Sequence, residues 1–483
     1  MTTRLTQVRR LATYEVFVAH LSSIGTTIPV DRAVESDGPL ARPLDVAETG
    51  NLSNRWAILP MEGWDGTSDG RPTDLVLRRW RRFGGSGASL VWGGEAFAVV
   101  PEGRANPRQL CMGPSSVADL EVLRTAVEEG RRASTGSADG LVLGLQLTHS
   151  GRWSRPNGSP EPLIAYRHPV LDARVGAKDD HLLTDGQLDD LVGAFVAAAR
   201  AAHEAGFSFV DVKQCHGYLG HELLSAMDRP GPYGGGLTGR SRFVTSVVSA
   251  IRQELPDLGI GTRLSVVDSA PYVAGPDGVG TPDPLVTVPY LYAFGGDGTG
   301  SGFDLTEPHA LLDQLEALGV GMVCVTAGSP YANPHTQRPA YFPPSDGYQP
   351  PRDPLIDVAN LLEVTRQVTQ GHPGMTVVGS GMTYLQEWLP HVAQAMVREG
   401  WCDVAGIGRM ALSYPTLPLD VLQGRGLTRP SLCRTFSDCT TAPRNGLVSG
   451  CYPIDEAYKL TPQRVELARV KREAEQARKA VRS

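Results

Sequence analysis

Short apolar runs recur along the chain, and each is followed by a longer stretch with helical periodicity. Eight such runs can be counted, at residues 55–61, 88–94, 141–147, 207–213, 260–266, 320–326, 375–381 and 403–408. One intervening stretch, DGQLDDLVGAFVAAARAAHEAG, follows the helix-capping Thr184 and ends on Gly206. Apolar strands separated by helices predict a parallel sheet that is buried on both faces.

Eight strand-and-helix units predict an α/β fold, a (β/α)8 TIM barrel over residues 46–425. Residues 1–45 are expected to cap the bottom of the barrel, and residues 426–483 form a C-terminal extension. The long insertions follow strands, which places them on the face where barrels build active sites. One of them, SPYANPHTQRPAYFPPSDGYQPP, is interpreted as a wall or lid of the substrate site or as a plain structural loop.

Composition narrows the class of protein. A formal charge of −7, with 20% charged residues, disfavours nucleic-acid and membrane-surface partners. No apolar stretch has the length of a signal peptide or a membrane helix, so a cytoplasmic enzyme is expected. Seven cysteines disfavour a disulfide scaffold. The tail LTPQRVELARVKREAEQARKAVRS predicts a charged amphipathic helix, either solvated or in contact with another copy of the chain.

Polar side chains crowd the end of the fourth apolar run, in FSFVDVKQCHGYLGHELLS. Lys213 ends the run, and His216 and Tyr218 follow in the next loop. At the carboxyl end of a barrel strand, these three side chains offer hydrogen-bond donors to one polar group of a ligand, together with a weak acid. We therefore interpret them as ligand-binding or catalytic residues; the alternative is that each is an ordinary hydrogen-bonded residue of the barrel rim.

Glycine-rich turns follow the last two strands, VVGSGM and GIGRM. In barrels this is the usual place for a phosphate, because glycines let backbone N–H groups approach an anion. Gly381, Gly408 and Arg409 are therefore candidate phosphate ligands. The segment GGGLTG matches a dinucleotide pattern but follows no strand, so it is interpreted as a turn.

Five motifs occur in the order and on the strands typical of one family: QLTHSGRWSRP, HGYLGHELLS, RPGPYGG, RLS and GIGR. Over residues 50–415 the chain resembles the Old Yellow Enzyme family of FMN-dependent ene-reductases. The resemblance implies FMN at the mouth of the barrel. By the same resemblance, Gln146 contacts the pyrimidine ring and Arg263 lies beside flavin N1. Further implied ligands are Pro60 and Met61 at the ring, and Gly381, Gly408 and Arg409 at the phosphate.

The resemblance also implies a reaction. FMN reduced by NAD(P)H passes a hydride to the C=C bond of a small α,β-unsaturated carbonyl compound, while Lys213 and His216 bind the carbonyl and Tyr218 delivers a proton. Lys213 departs from the family, which usually has histidine there, and this suggests a more acidic or charged substrate group. Glu62 stands where a small Thr or Cys is common; it either faces the ring or turns toward solvent or Arg55.

The extension carries Cys433, Cys439 and Cys451. It resembles the region where dienoyl-CoA reductase and trimethylamine dehydrogenase hold a [4Fe–4S] cluster with four cysteines. Cys439 and Cys451 keep the expected spacing, but the second ligand is missing. The open alternatives are a cluster with Asp438 as a ligand, a zinc or structural turn, or a remnant. The second, nucleotide-binding half of those relatives is absent, so electrons are expected from NAD(P)H or a partner protein.

Three other functions remain open at this stage. The first is oxidation of an amine or alcohol, of the trimethylamine-dehydrogenase kind. The second is a Schiff-base lyase that uses Lys213 as its nucleophile. The third is a flavin-binding scaffold without turnover.

Overall fold

The computed structural model describes residues 5–46 and 49–482, with side chains up to residue 476; the outermost residues of the predicted N-terminal and C-terminal segments lie outside this range. Parallel strands close into a barrel, each pairing with its neighbours and the last with the first. The strands are β1 (Trp56–Ile58), β2 (Leu90–Val91), β3 (Val142–Thr148), β4 (Phe209–Val212), β5 (Gly259–Val267), β6 (Met322–Ala327), β7 (Thr376–Gly379) and β8 (Val404–Ile407). All eight fall within the apolar runs or within a residue of them, so the predicted (β/α)8 barrel is confirmed.

Helices surround the barrel and alternate with its strands. The longer ones are α1 (Tyr14–Ser23), α2 (Asp74–Gly84), α3 (Ser116–Thr135), α4 (Asp185–Glu204), α5 (Arg242–Glu254), α6 (Thr306–Ala317), α7 (Pro354–Gly371), α8 (Leu389–Arg398) and α9 (Gln463–Arg482). Shorter helices occupy Leu171–Val175, Leu219–Leu223, Leu237–Arg240, Pro334–Gln337, Arg409–Ser413, Leu417–Leu422, Asp438–Arg444 and Glu456–Lys459. Among the described residues, no helix has both the length and the apolar character that crossing a membrane requires.

The strands bury both faces, as their continuous apolar sequences predict. Their outer faces pack against the helices, and their inner faces fill the barrel with side chains that include Trp92 and Phe209, whose ring centroids lie 5.2 Å apart. An antiparallel hairpin, Leu44–Val46 paired with Gly50–Leu52, contributes Val46 and Leu52 to this inner cluster. The hairpin therefore closes the bottom of the barrel.

The rest of the N-terminal segment lies along the side of the barrel. Phe17 of α1 stacks on Trp388 with centroids 4.8 Å apart, and Trp388 Nε1 donates to the Leu11 carbonyl. His20 Nε2 lies 3.0 Å from Asp353 Oδ2 at the start of α7. The aromatic and ionic partners of α1 are thus on the flank, and the residues that close the bottom, Val46 and Leu52, come directly after the predicted cap.

The C-terminal extension folds back over the mouth of the barrel. Leu467 of α9 is buried against Tyr452 and Tyr458 of the same extension. Asp455 pairs with the Arg78 guanidinium at 2.7 Å, which ties the extension to α2. Thr440, Pro443 and Arg444 of the extension consequently reach the cavity described next.

Candidate active site at the mouth of the barrel

One cavity opens among the carboxyl ends of the strands. It is lined by all ten non-cysteine residues that the sequence predicts for the site: Pro60, Met61, Gln146, Lys213, His216, Tyr218, Arg263, Gly381, Gly408 and Arg409. They come from β1, β3, β4, β5, β7 and β8 or from the residues directly after these strands. Parallel strands end at the same edge of a barrel, so residues far apart in sequence meet there.

Several other residues line the cavity without a sequence pattern that indicates it. They include Trp64, Tyr331, Gln337, Arg338, Thr440 and Arg444. Tyr331, Gln337 and Arg338 lie in the aromatic and proline-rich insertion after β6, so that insertion does line the cavity. Thr440 and Arg444 belong to the extension, and no local pattern indicates which part of the barrel such a segment contacts.

A buried aspartate, Asp211, organises the floor of the cavity. Its Oδ2 accepts hydrogen bonds from Gln146 Nε2 at 2.6 Å and from Trp92 Nε1 at 2.7 Å, while its Oδ1 accepts from the Arg263 backbone N–H. Burial raises the pKa of Asp211, and the bonds from Gln146 and Trp92 oppose that shift. Because the Gln146 amino group is held by Asp211, its amide orientation is fixed before any ligand arrives.

Arg263 points a cation into the cavity from the middle of β5. The residue is 8% exposed, and its buried Nε has no hydrogen-bond partner. Among the residues that the structure describes, its guanidinium makes no hydrogen bond or ion pair. A buried, unpaired guanidinium is costly unless a ligand supplies the missing partner. An electron-rich group opposite Arg263 would supply that partner.

Arginine and glycine residues line the part of the cavity that follows the ends of β7 and β8. Arg409 Nη2 donates to the Pro339 carbonyl at 2.9 Å, whereas its buried Nη1 has no partner. Burial, together with the nearby Arg444 and Arg409 charges, lowers the pKa of Arg338 to about 9. Mutually repelling guanidinium groups at a cavity surface favour a bound anion.

Gly381 is required by its backbone conformation and a close neighbour, whereas Gly408 has a looser contact. Gly381 has φ +80, and a Cβ at this position would lie 2.4 Å from Leu361 Cδ2. A Cβ on Gly408 would lie 3.3 Å from Met61 Sδ. Side chains at either position would therefore strain the backbone or narrow the cavity where β7 and β8 end.

Lys213 lies between a carboxylate and an aromatic ring. Its Nζ is 3.6 Å from Glu62 Oε1 and 3.9 Å from the centroid of the Tyr218 ring. Glu62 thus faces the cavity rather than Arg55, which donates instead to the carbonyls of residues 42, 43 and 403. An opposite charge and an aromatic face both attract a cation, so they hold the ammonium group in place.

His216 has a constrained backbone and a neutral ring. Its φ is +67, and its backbone N–H donates to Ser265 Oγ at 3.1 Å. Its Nε2 lies 3.1 Å from Gln337 Nε2. Burial, followed by the positive charges of Arg263 and Lys213, lowers the pKa of His216 well below its ordinary value. The ring is consequently uncharged at neutral pH.

Tyr218 presents a protonated phenol at the same end of the cavity. Its hydroxyl lies 3.3 Å from the Tyr331 hydroxyl, and the Tyr331 ring stacks on Trp153 with centroids 4.3 Å apart. Burial, followed by the Glu62 carboxylate, raises the pKa of Tyr218 well above its ordinary value. Such a phenol keeps its proton until a reacting group takes it.

The three cysteines of the extension share one neighbourhood, and only Cys439 lines the cavity. Burial raises the pKa of each thiol, and Cys433 and Cys439 add to the shift at Cys451. Within the described residues, their sulfurs do not form a group within 4.8 Å of one another, the closeness that one metal ion needs. Asp438, the substitute fourth ligand, pairs with Lys471 at 2.5 Å. A metal or cluster at these cysteines stays a prediction.

Comparison with known proteins identifies the family. Residues 39–275 match the model of the NADH:flavin oxidoreductase / NADH oxidase family. The NADPH dehydrogenase of Clostridium acetobutylicum is 30% identical over 49% of this chain and 66% of its own length. That of Geobacillus thermodenitrificans is 26% identical over 76% of this chain and 89% of its own length. Three further NADPH dehydrogenases are each matched over 61% of their length, so the chain spans less than two thirds of these relatives.

Two solved structures share the fold. A 2-naphthoyl-CoA reductase in complex with 2-naphthoyl-CoA superposes with a TM-score of 0.63 and 16% identity, covering 89% of this chain and 58% of the other. The Old Yellow Enzyme homologue from Zymomonas mobilis superposes with a TM-score of 0.54 and 18% identity, covering 80% and 94%. The chain belongs to the NADH:flavin oxidoreductase / NADH oxidase family, the Old Yellow Enzyme family that its motifs predict.

Proposed function

We propose that the protein is an FMN-dependent oxidoreductase that takes electrons from NAD(P)H and reduces the C=C bond of an α,β-unsaturated carbonyl compound. The observation that carries this proposal is the unpaired Arg263 guanidinium in the same cavity as the buried phenol of Tyr218. The cation suits the electron-rich edge of a reduced flavin, and the phenol suits proton delivery to carbon.

The cavity residues fit FMN at both ends of the molecule. At one end, Gln146 and Arg263 line the cavity with a fixed amide and an orphaned guanidinium. At the other end, Arg409 has an orphaned Nη1, and the adjacent Gly408 leaves room that a Cβ would narrow toward Met61. We assign the first pair to the flavin ring and the second set to the phosphate.

FMN, when bound, would supply the hydride. Lys213 and the neutral His216 would bind and polarise the substrate carbonyl, because both line the cavity beside Tyr218. Tyr218 would give its phenolic proton to the α-carbon, which completes the addition of two hydrogens across the bond. Glu62 would hold Lys213 in position through their 3.6 Å contact. The stacked rings of Trp153 and Tyr331 would exclude water from this end of the cavity.

The contacts of Lys213 argue against the lyase alternative. A Schiff-base nucleophile needs a free lone pair on nitrogen. Here Nζ is held between the Glu62 carboxylate and the face of the Tyr218 ring, so it is not free to attack a carbonyl carbon. Amine oxidation is also less well supported, since the carboxylate that a cationic amine would seek, Glu62, already faces Lys213.

A second cavity supports a substrate larger than a simple enone. It has a volume of about 710 Å³ and shares Trp64, Tyr331 and Arg444 with the first cavity. Two exposed arginines, Arg108 and Arg155, line it, and no ion pair to another described residue involves either side chain. We propose that this cavity admits the anionic remainder of the substrate. A neighbour of the same fold is named as a complex with 2-naphthoyl-CoA.

The test uses the absorbance of the purified protein. We expect flavin bands that bleach with NADPH or NADH without oxygen and recover when an α,β-unsaturated carbonyl compound is added. Recovery should be faster with an anionic enoyl compound than with a neutral one of equal reactivity. A colourless protein that does not take up FMN would overturn the proposal, and bleaching by an amine would favour the dehydrogenase alternative.

A further inference from the structure

A second cluster of ionisable side chains lies at the opposite face of the barrel. Asp313 and Glu316 occupy the last turn of α6, just before β6, and His372 follows α7, just before β7. The starts of parallel strands meet at the bottom of a barrel, so this cluster is remote from the candidate active site. The spacing of three residues puts both carboxylates on one side of α6.

The histidine is the unusual member of this cluster. His372 is 2% exposed, and its Nε2 is hydrogen-bonded to His309 Nδ1 at 2.9 Å. Its Nδ1 is buried and has no hydrogen-bond partner. That atom lies 3.5 Å from Asp313 Oδ1 and 3.6 Å from Glu316 Oε2. A buried ring nitrogen is therefore aimed at two carboxylates without bonding to either.

The distances suit a shared ion better than hydrogen bonds. A contact of 3.5 Å or more is too long for a good N–H···O bond. Zinc bonds of about 2.0–2.2 Å in tetrahedral geometry place neighbouring ligand atoms about 3.3–3.6 Å apart. We propose that Asp313, Glu316 and His372 bind one divalent transition-metal ion, for which Zn²⁺ is the probe, with water in the fourth position.

The surroundings of the cluster have two features of a metal site. His309 bonds to the ring nitrogen of His372 that faces away from the carboxylates, which fixes the ring as outer partners of metal ligands do. Gly374 leaves space for Glu316, because a Cβ there would lie 2.0 Å from Glu316 Oε1. The ion would join the end of α6 to the turn after α7, and its effect would be on stability.

An ion pair between a protonated His372 and the two carboxylates is the competing explanation. It would need no metal and would give no response to zinc. The two cases therefore separate in a binding measurement on the intact, chelator-treated protein.

The experiment is calorimetric titration of the full chain with ZnCl₂, alongside thermal unfolding with and without zinc. We expect one zinc per chain at this site and an unfolding midpoint that rises with zinc concentration. Asp313→Asn and Glu316→Gln, which change an exposed and a partly exposed side chain, should abolish this binding. His309→Gln should weaken it by about 10- to 100-fold, the range for outer partners. Asp257→Asn, an exposed residue before β5, is the matched control and should bind as the parent does.

The cysteines of the extension are the other place where zinc could bind, so Cys433→Ser is tested in parallel. Zinc binding that survives Asp313→Asn and Glu316→Gln, or that disappears only with Cys433→Ser, overturns the proposal. Absence of any zinc response in the parent protein also overturns it and favours the ion pair.

Discussion

Replacing Tyr218 by phenylalanine removes the proposed acid and almost nothing else. The phenol makes one described hydrogen bond, a 3.3 Å contact with Tyr331, whose loss would cost about 0.5–1.5 kcal/mol of stability. Removing a positioned general acid slows the step that it serves by about 10²- to 10⁴-fold. This corresponds to about 3–5 kcal/mol of barrier. The effect on rate should therefore far exceed the effect on folding.

The assay separates the two half-reactions by anaerobic stopped-flow absorbance. Reduction by NADPH needs no proton from Tyr218, so the Tyr218→Phe variant should bleach at the parent rate. Reoxidation of the flavin by an enone should slow by about 10²- to 10⁴-fold. Reoxidation by a quinone, whose reduction adds protons to oxygen rather than carbon, should stay near the parent rate.

Tyr331→Phe is the matched control, because it removes the partner of the phenol and leaves the phenol itself. Its enone rate should change by less than about tenfold, in line with the loss of one weak hydrogen bond. Equal enone rates in Tyr218→Phe and the parent would refute the assignment of the acid. Equal slowing with enone and quinone would point to disturbed binding instead.

Three further outcomes follow from the site and its surroundings. Arg263→Leu should lose FMN on dialysis while Arg263→Lys retains most of it, measured by flavin fluorescence of the filtrate; equal retention would contradict the role of the cation. Glu62→Gln should lower the ratio of KM for a carboxylated enone to KM for its neutral ester, because Lys213 loses its partner at 3.6 Å. An unchanged KM ratio would argue against the pairing of Glu62 with Lys213. Burial lowers the pKa of His149 to about 4, so the unfolded chain binds more protons between about pH 4 and 6.5, and stability falls as pH drops through that window. Denaturant unfolding should show a loss of up to about 3 kcal/mol in the free energy of unfolding at pH 4. His149→Gln should reduce the dependence of this free energy on pH. An unchanged dependence would assign the loss to other groups.

Local sequence patterns predicted the positions of the strands and therefore the barrel. The strand positions follow from continuous apolar runs, since a strand buried on both faces has no polar side to interrupt it. Six of the ten predicted lining residues, Lys213, His216, Tyr218, Gly381, Gly408 and Arg409, follow from their positions at strand ends, because the closed parallel barrel brings those ends together. The other four, Pro60, Met61, Gln146 and Arg263, follow from the family resemblance. Such features depend on residues that are close in sequence, so they can be read without a structure.

Local sequence patterns did not predict the contacts between segments that are distant in the chain. Glu62 had two open orientations, and only the fold places it against Lys213, 151 positions away in the chain. The extension likewise gave no sign that Arg444 would line the cavity. Each contact depends on the packing of whole elements, which periodicity does not encode.

The amino-acid sequence by itself determined the barrel and its strands and, with the family resemblance, ten of the residues that gather at its mouth. Only the tertiary structure decided which charges were left unpaired, at Arg263 above all, and which were paired, at Lys213. The physical reason is that periodicity reports burial one residue at a time, whereas the satisfaction of a buried charge depends on every neighbour that the fold brings within a few ångströms.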